Sequence, residues 1–366
     1  MSANYRTVFE RTYQERPLFF PFLSTFFKTG PEDISDASTM IIEVKRANAG
    51  YIAPVIMDNT QQGQLLKNSK YTSKEFTPPL TALGASFGAN DLITKQFGRT
   101  VFDSANESYI MQLIKMVQDV FGDIENRFNY QIEFQASQIL QTGTVTLYDE
   151  NGIAAYTISF QPKATHFPTV GTNWSDEDSD PDVDIINLSQ VIRTDGQIGI
   201  KNLIFGEDAL NNYLKNNKTA DKFDVRRYES GMFNPQERNE DVDFLGDILI
   251  GTKRFACWYY KGTYKDPAAL AYTETPFVAA DKVIFLPDQN SVNFDFRRKT
   301  LTVPTLVGVD ERVNSIIPGN IFTGNRAYTV KAFLNNKADA LEIELKNKQM
   351  LIPVSIDAFG CLDTAI

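Results

Sequence analysis

Gly84-Ala85-Ser86-Phe87-Gly88 is a GxSxG sequence, the pattern that exposes a nucleophilic serine when a strand precedes it and a helix follows. Such a serine needs a base, and the chain's one histidine, His166, is the candidate to serve Ser86. Pro78 and Pro79 crowd the segment that should be the strand, so the small residues read better as a flexible link between two elements. The acidic run Asp176, Asp178, Asp180, Asp182 and Asp184 has the alternation of a calcium loop. Pro181, however, stands where that loop turns on glycine, and Asn187 where it needs a bidentate glutamate. Asp182 and Asp184 are better read as capping and complementing the N-terminus of a helix beginning near Ile185. Gly319 and Gly324 have the spacing of a phosphate-binding loop, but Asn325 and Arg326 replace its Lys and Ser/Thr. His166, beside Phe167 and Pro168, reads as an ordinary surface or half-buried histidine, and one histidine builds no His-rich metal site. Cys257 and Cys361 lack CxxC spacing, which leaves neither a zinc ribbon nor a disulfide framework and points to folding in a reducing cytosol. The expectation is a non-enzyme without cofactor or metal, with a serine hydrolase on Ser86 and His166 kept as a rival.

The elements that would carry these residues are unequal in size. Ser104 to Gly143 reads as one amphipathic helix, about 57 Å long, opened by a Ser104–Glu107 capping box and stopped by Gly143. Ile110, Leu113, Ile114, Val117, Val120, Phe121, Ile124, Phe128, Ile132, Ala136, Ile139 and Leu140 recur on one stripe. Gly122 is the place for a kink, or for a break into two shorter helices. A compact chain of this length has a radius of gyration of about 21 Å, so such a helix would run across the whole molecule as a spine. A plate built on a spine suits a subunit that tiles with its own copies.

Before the spine, residues 1–40 crowd Phe9, Phe19, Phe20, Phe22, Phe26 and Phe27 among prolines with little periodicity. An arm with that much apolar surface must bury it, on its own domain or on a neighbouring subunit. Met40 to Pro79 reads as a long β excursion with a polar tip from Asp58 to Ser73; Lys67, Lys70 and Lys74 lie on it, a solvated face or a contact for an acidic partner. After the spine, Val145–Tyr148 and Ile153–Phe160 flank Asn151-Gly152 as a hairpin. Short helices (185–193, 208–218) then mix with strands (198–205, 247–250, 255–260, 283–286), which is α+β text without βα alternation. Leu341–Leu345 and Met350–Ile356 read as a closing hairpin turning at Lys346–Gln349.

With 366 residues and 42% hydrophobic content the chain can bury a sizeable core in two or three domains. A formal charge of -10 excludes broad electrostatic binding of nucleic acid, though not a surface that contains DNA passively. The apolar run Leu18–Phe27 is broken by Pro21 and too short to span a bilayer, so neither signal peptide nor membrane anchor is expected.

The order of elements resembles the Hong Kong 97-type capsid fold of tailed bacteriophages. Local text is similar to the lambda-type major capsid protein family at Pro17-Leu18-Phe19, Ser73-Lys74-Glu75-Phe76-Thr77-Pro78, Gly171-Thr172-Asn173-Trp174-Ser175, Asp180-Pro181-Asp182-Val183-Asp184-Ile185 and Phe285-Leu286-Pro287-Asp288. The resemblance implies an N-terminal arm (1–40), an extended loop (41–90), a peripheral domain (91–170 and 341–366) holding spine helix 104–143, and an axial domain (171–340). It implies a major capsid protein whose hexamers and pentamers close an icosahedral shell around a double-stranded DNA genome without sequence-specific binding. Scaffold, portal and decoration proteins are the implied partners, the host cytoplasm the place of assembly and the virion the destination. Phe19, Phe20, Phe22, Lys67, Lys70 and Lys74 are the expected subunit interface. Removing residues 1–30, or replacing Phe19, Phe20 and Phe22 by serine, should then leave a foldable domain that closes no particles. An encapsulin-like compartment is the alternative on the same fold.

Overall fold

The computed structural model describes residues 21–35, 39–45, 71–88, 109–149, 152–216, 218, 231–239, 241–265, 274–304, 309–316, 328–336 and 340–366. The helices bounded among those residues are α1 (Tyr109–Thr142), α2 (Pro181–Gly196), α3 (Glu207–Lys215) and α4 (Glu311–Ile316).

Helix α1 has 34 described residues and spans about 51 Å. It runs unbroken through Gly122, so the two-helix alternative falls. The stripe is inward as expected: Ile114, Val117, Phe121, Ile124, Phe128, Ile132, Ala136, Ile139 and Leu140 are all buried. The Ser104–Glu107 box lies outside the described residues. Gly143 ends the helix at φ +68 with its N–H donating to Ile139 O at 2.8 Å, and a Cβ there would sit 2.3 Å from Pro162 Cγ. Gly143→Ala should therefore lower stability by about 2–4 kcal/mol, left-handed backbone plus overpacking, as read by denaturant unfolding.

The stripe serves two cores. The N-terminal half of α1, from Ile114 to Phe128, packs with Val313 on a three-stranded antiparallel sheet ordered 329–335, 340–347, 81–88. The C-terminal half, from Ile132 to Leu140, belongs to a larger core. That core is built on a six-stranded mixed sheet ordered 360–363, 282–287, 200–205, 253–260, 242–250, 231–239. Helix α2 covers it with Ile185, Leu188 and Ile192. Strands 40–45 and 71–76 pair antiparallel from Met40↔Phe76 to Lys45↔Tyr71, forming the base of the anticipated β excursion. The hairpin after α1 is present as 144–148 and 154–159.

Four expectations need correction. Gly84–Gly88 is no link: it lies inside strand Thr81–Gly88, whose small residues admit a neighbour, since a Cβ on Gly84 would be 2.9 Å from Ile343 O. The closing hairpin is absent: Ala340–Asn347 pairs with 329–335 and 81–88, whereas Gln349–Pro353 pairs with 296–301. Only Lys348 separates those two strands, too little for a turn, so the chain crosses from one sheet to another. Helix α2 starts four residues early, with Pro181 at its first position and Asp180, not Asp182 or Asp184, as its cap; the Asp180 carboxylate accepts from the Val183 N–H at 3.3 Å, while Asp182 and Asp184 fall in the first turn, where they complement the helix N-terminus as expected. Finally, the arm is not separable at residue 30. Leu23, Phe26 and Phe27 are 0%, 4% and 5% exposed in the larger core, so their removal would excavate it.

Candidate assembly interface

The root of the arm is held by one carboxylate. On α1, Glu133 is wholly buried, and its Oε1 accepts from the Phe22 and Leu23 N–H groups at 2.9 and 2.6 Å while Oε2 accepts from the Ser24 N–H at 3.0 Å. These are the free N–H groups around the short 3-10 turn Leu23–Phe26, the ones a helix start leaves unpaired. Burial pushes the Glu133 carboxyl up despite those bonds. The neighbouring Tyr260 phenol is pushed up too, first by burial and then by the Glu133 charge. Further on, Arg297 reaches Glu32 and Asp295 at 2.9 Å and Asp33 at 3.5 Å, fixing the turn Pro31–Asp33. The Asp295 bond is the main reason the guanidinium's pKa is raised.

More polar side chains bind α1 to its surroundings. Gln135 Oε1 accepts from Leu351 N–H at 3.3 Å, and the Gln141 amide bridges Phe277 O at 2.8 Å and the Ala279 N–H at 3.0 Å. Hydrophobic periodicity could not have flagged Glu133, Gln135 or Gln141. The one available signal was a charged residue, Glu133, next to the apolar stripe.

The root of the β excursion is equally fixed. Met40 and Ile42 face the core while Ile41, 52% exposed, faces out. Lys45 N–H donates to Val354 O at 2.7 Å, and Lys299 Nζ donates to Ile41 O at 2.9 Å. Phe76 meets the hairpin residue Tyr156 edge-on at 6.2 Å. Tyr156 and Ile153 are 44% and 64% exposed, leaving an apolar fringe beside the ribbon.

Of the expected interface residues, Phe22 is half-buried against its own subunit, its ring 5.4 Å from Trp258 and 5.6 Å from Tyr260. Lys74 sits on strand 71–76 opposite Ile42. Phe19, Phe20, Lys67 and Lys70 lie outside the described residues, as does the Gly319–Gly324 run.

The chemical candidates fare differently. Ser86 is on the solvent face of strand 81–88, opposite Glu342, over the smaller core. His166 is no surface residue: it is wholly buried, with Nδ1 2.8 Å from Phe359 O and Nε2 3.2 Å from Asp195 Oδ2. Both ring nitrogens face oxygen acceptors, and the geometry does not bring His166 to Ser86 as a base. On Asp195, burial works upward, but the Lys163 and His166 bonds outweigh it and hold the carboxyl low. In the acidic run, Asp182 accepts from the Tyr213 hydroxyl and Asp184 from Trp174 Nε1, each at 3.0 Å, so both carboxylates have structural partners. Among the described residues no group of three or more His, Cys, Asp or Glu could hold a metal, and no helix is long and apolar enough to cross a membrane. Cys257 and Cys361 are buried, burial raising both thiols, that of Cys361 to about 12. Native protein at pH 8 should therefore leave a chromogenic disulfide reagent unreacted, with two thiols appearing on denaturation.

A family model described as phage major capsid protein E matches residues 14–296. Among solved structures, a prophage protein of Escherichia coli CFT073 assigned as a capsid protein is similar at TM-score 0.60 and 14% identity, over 95% of this chain and 94% of that one. A phage-related protein of Bordetella bronchiseptica RB50 is similar at TM-score 0.56 and 9% identity, over 98% and 97%. A search of curated proteins gave no match.

Proposed function

The chain belongs to the phage major capsid protein E family, and from that premise we propose how this shell-forming capsid subunit divides its work. Residues 171–340 form the axial domain facing a ring centre, and residues 91–170 with 341–366 form the peripheral domain around the spine. Residues 1–40 and 41–90 are the arm and loop that reach neighbouring subunits in hexamers and pentamers. Phe19 and Phe20 with Lys67, Lys70 and Lys74 make those contacts, and Phe22 anchors the arm behind them. The shell encloses double-stranded DNA by shape, without reading sequence, and is completed in the host cytoplasm with scaffold, portal and decoration proteins. The subunit performs no catalysis.

The observation that carries this division is the pair of fixed roots. Glu133 holds the arm where residues 1–20 join it, and the 40–45/71–76 ribbon holds the two ends of the excursion. A short, rigid root lets a long segment meet a neighbour at less entropic cost, and many modest contacts of this kind sum to a stable yet correctable shell.

Negative-stain microscopy with sedimentation tests it. The protein expressed alone at high concentration, or with the genes beside its own, should give closed shells, rings or tubes. A monomer under both conditions sinks the reading. Particles that carry a protein cargo and no DNA in infected cells would favour the compartment alternative.

A further inference from the structure

Opposite charges gather around the two ends of helix α2, and several of them make no ion pair among the described residues. At its C-terminal end Arg193, Gln197 and Gly199 line a cavity of about 640 Å³ together with Lys253 and Arg254 from the start of strand 253–260. No carboxylate is among the described residues lining it. Arg193 and Arg254 are exposed and make no ion pair among the described residues, and Lys253 Nζ has only the Ser189 hydroxyl, at 2.9 Å. The nearby carboxylate of Asp195 is already engaged by Lys163 and His166. Burial and the charge of Arg193 both lower the pKa of Lys253, as expected where cations gather without a counter-ion.

Beyond the other end lies the turn before the helix, where Asp176, Glu177 and Asp178 are exposed and their side chains form no ion pair among the described residues. Among the described residues, Lys218 Nζ reaches the Asp178 carbonyl, at 3.0 Å, and Asp180, at 4.0 Å. Sixteen helical residues, about 24 Å, separate the two ends, well beyond a Debye length of about 8 Å, so one subunit cannot pair them internally.

We propose that the basic cavity of Arg193, Lys253 and Arg254 receives the acidic turn Asp176–Asp178 of the next copy of this chain, making a head-to-tail contact that repeats around each ring. The patches differ on one molecule, so the contact is heterologous and generates closed rings when its rotation closes, as a hexamer or pentamer requires. Charge complementarity across such a contact fixes register and rejects wrong orientations more than it adds affinity. The inference rests on the shell reading above and assigns one of its contacts.

Charge reversal in the full chain tests it. R193E with R254E, and separately D176K with D178K, should each lower the yield of closed particles by roughly tenfold, because every contact of a ring carries the repulsion. The fourfold variant that combines them restores the pairing with its signs exchanged and should assemble near the wild-type yield. All four positions are exposed and leave the core untouched, so every variant should stay folded and melt within about 4 °C of wild type, R193E losing a favourable charge from the last turn of α2, and the milder R193Q with R254Q should give an intermediate loss. Reversal variants that assemble like wild type overturn the proposal, including the case in which they assemble but retain less DNA, which would make the cavity a phosphate site. A fourfold variant that melts normally yet stays unassembled overturns it too. Failure of the wild-type protein to assemble under any condition would instead remove the shell reading itself.

Discussion

Glu133→Ala should cost about 3–5 kcal/mol of stability and free the arm root, since it strands the N–H groups of Phe22, Leu23 and Ser24 inside the core. The expected result is an earlier unfolding transition and protease cleavage around residues 22–28 at concentrations that leave the wild type intact. Glu133→Gln is the graded control. Its amide oxygen still serves Phe22 and Leu23, while its NH₂ faces the Ser24 donor, so about half the loss should remain. Cleavage unchanged in both variants would mean that the arm root is held by its side chains alone. The pH dependence has a definite sign. Burial raises the Glu133 carboxyl above its ordinary 4.5 and outweighs the N–H bonds that favour the carboxylate, so folding raises its affinity for a proton. Its contribution is fully present below about pH 4.5 and is lost as pH climbs through the folded-state value. The stability of wild type relative to Glu133→Gln should therefore decline as pH rises from 4.5.

The second large effect is on assembly. Deleting residues 1–20 keeps Leu23, Phe26, Phe27 and the Glu133 bonds, so the subunit should melt like wild type while giving no closed particles. Deleting residues 1–30 removes three core side chains as well, each worth about 2–5 kcal/mol, and should leave a protein that aggregates or unfolds. Comparison of the two truncations by thermal melting and electron microscopy separates the root from the reach. Normal shells from the shorter truncation would withdraw the arm from the interface.

Much of this was legible in local text, and the reason is physical. The stripe of α1 repeats at the helical period, and Gly143 ends it in a left-handed conformation that glycine adopts without strain. Both signals live within a few residues. The hairpin at 144–159 was legible for the same reason. What stayed hidden depends on distant partners. Strand 81–88 looks like a link until Ile343 and Leu345 are beside it, because its small residues answer to a strand far along the chain. Nothing in local text marks Glu133 as an anchor, since its partners are more than a hundred residues away. His166 looked superficial for the same reason, its two partners lying at Asp195 and Phe359. Residue types marked the aromatic arm, but only the geometry seats Phe22 on Trp258 and Tyr260 of its own subunit.

The last stretch of the chain visits three sheets in succession: 340–347 is the central strand of one, 349–353 an edge of the second and 360–363 an edge of the third. Each of these sheets therefore joins the stretch 340–363 to strands far earlier in the chain, among them 34–35, 81–88 and 200–205. Pairings of such long range must overcome loop-closure entropy before their contacts form, so the three sheets close late in folding. A subunit whose sheets close together and late presents a finished surface only once it is folded, which places assembly under the control of the concentration of folded subunits.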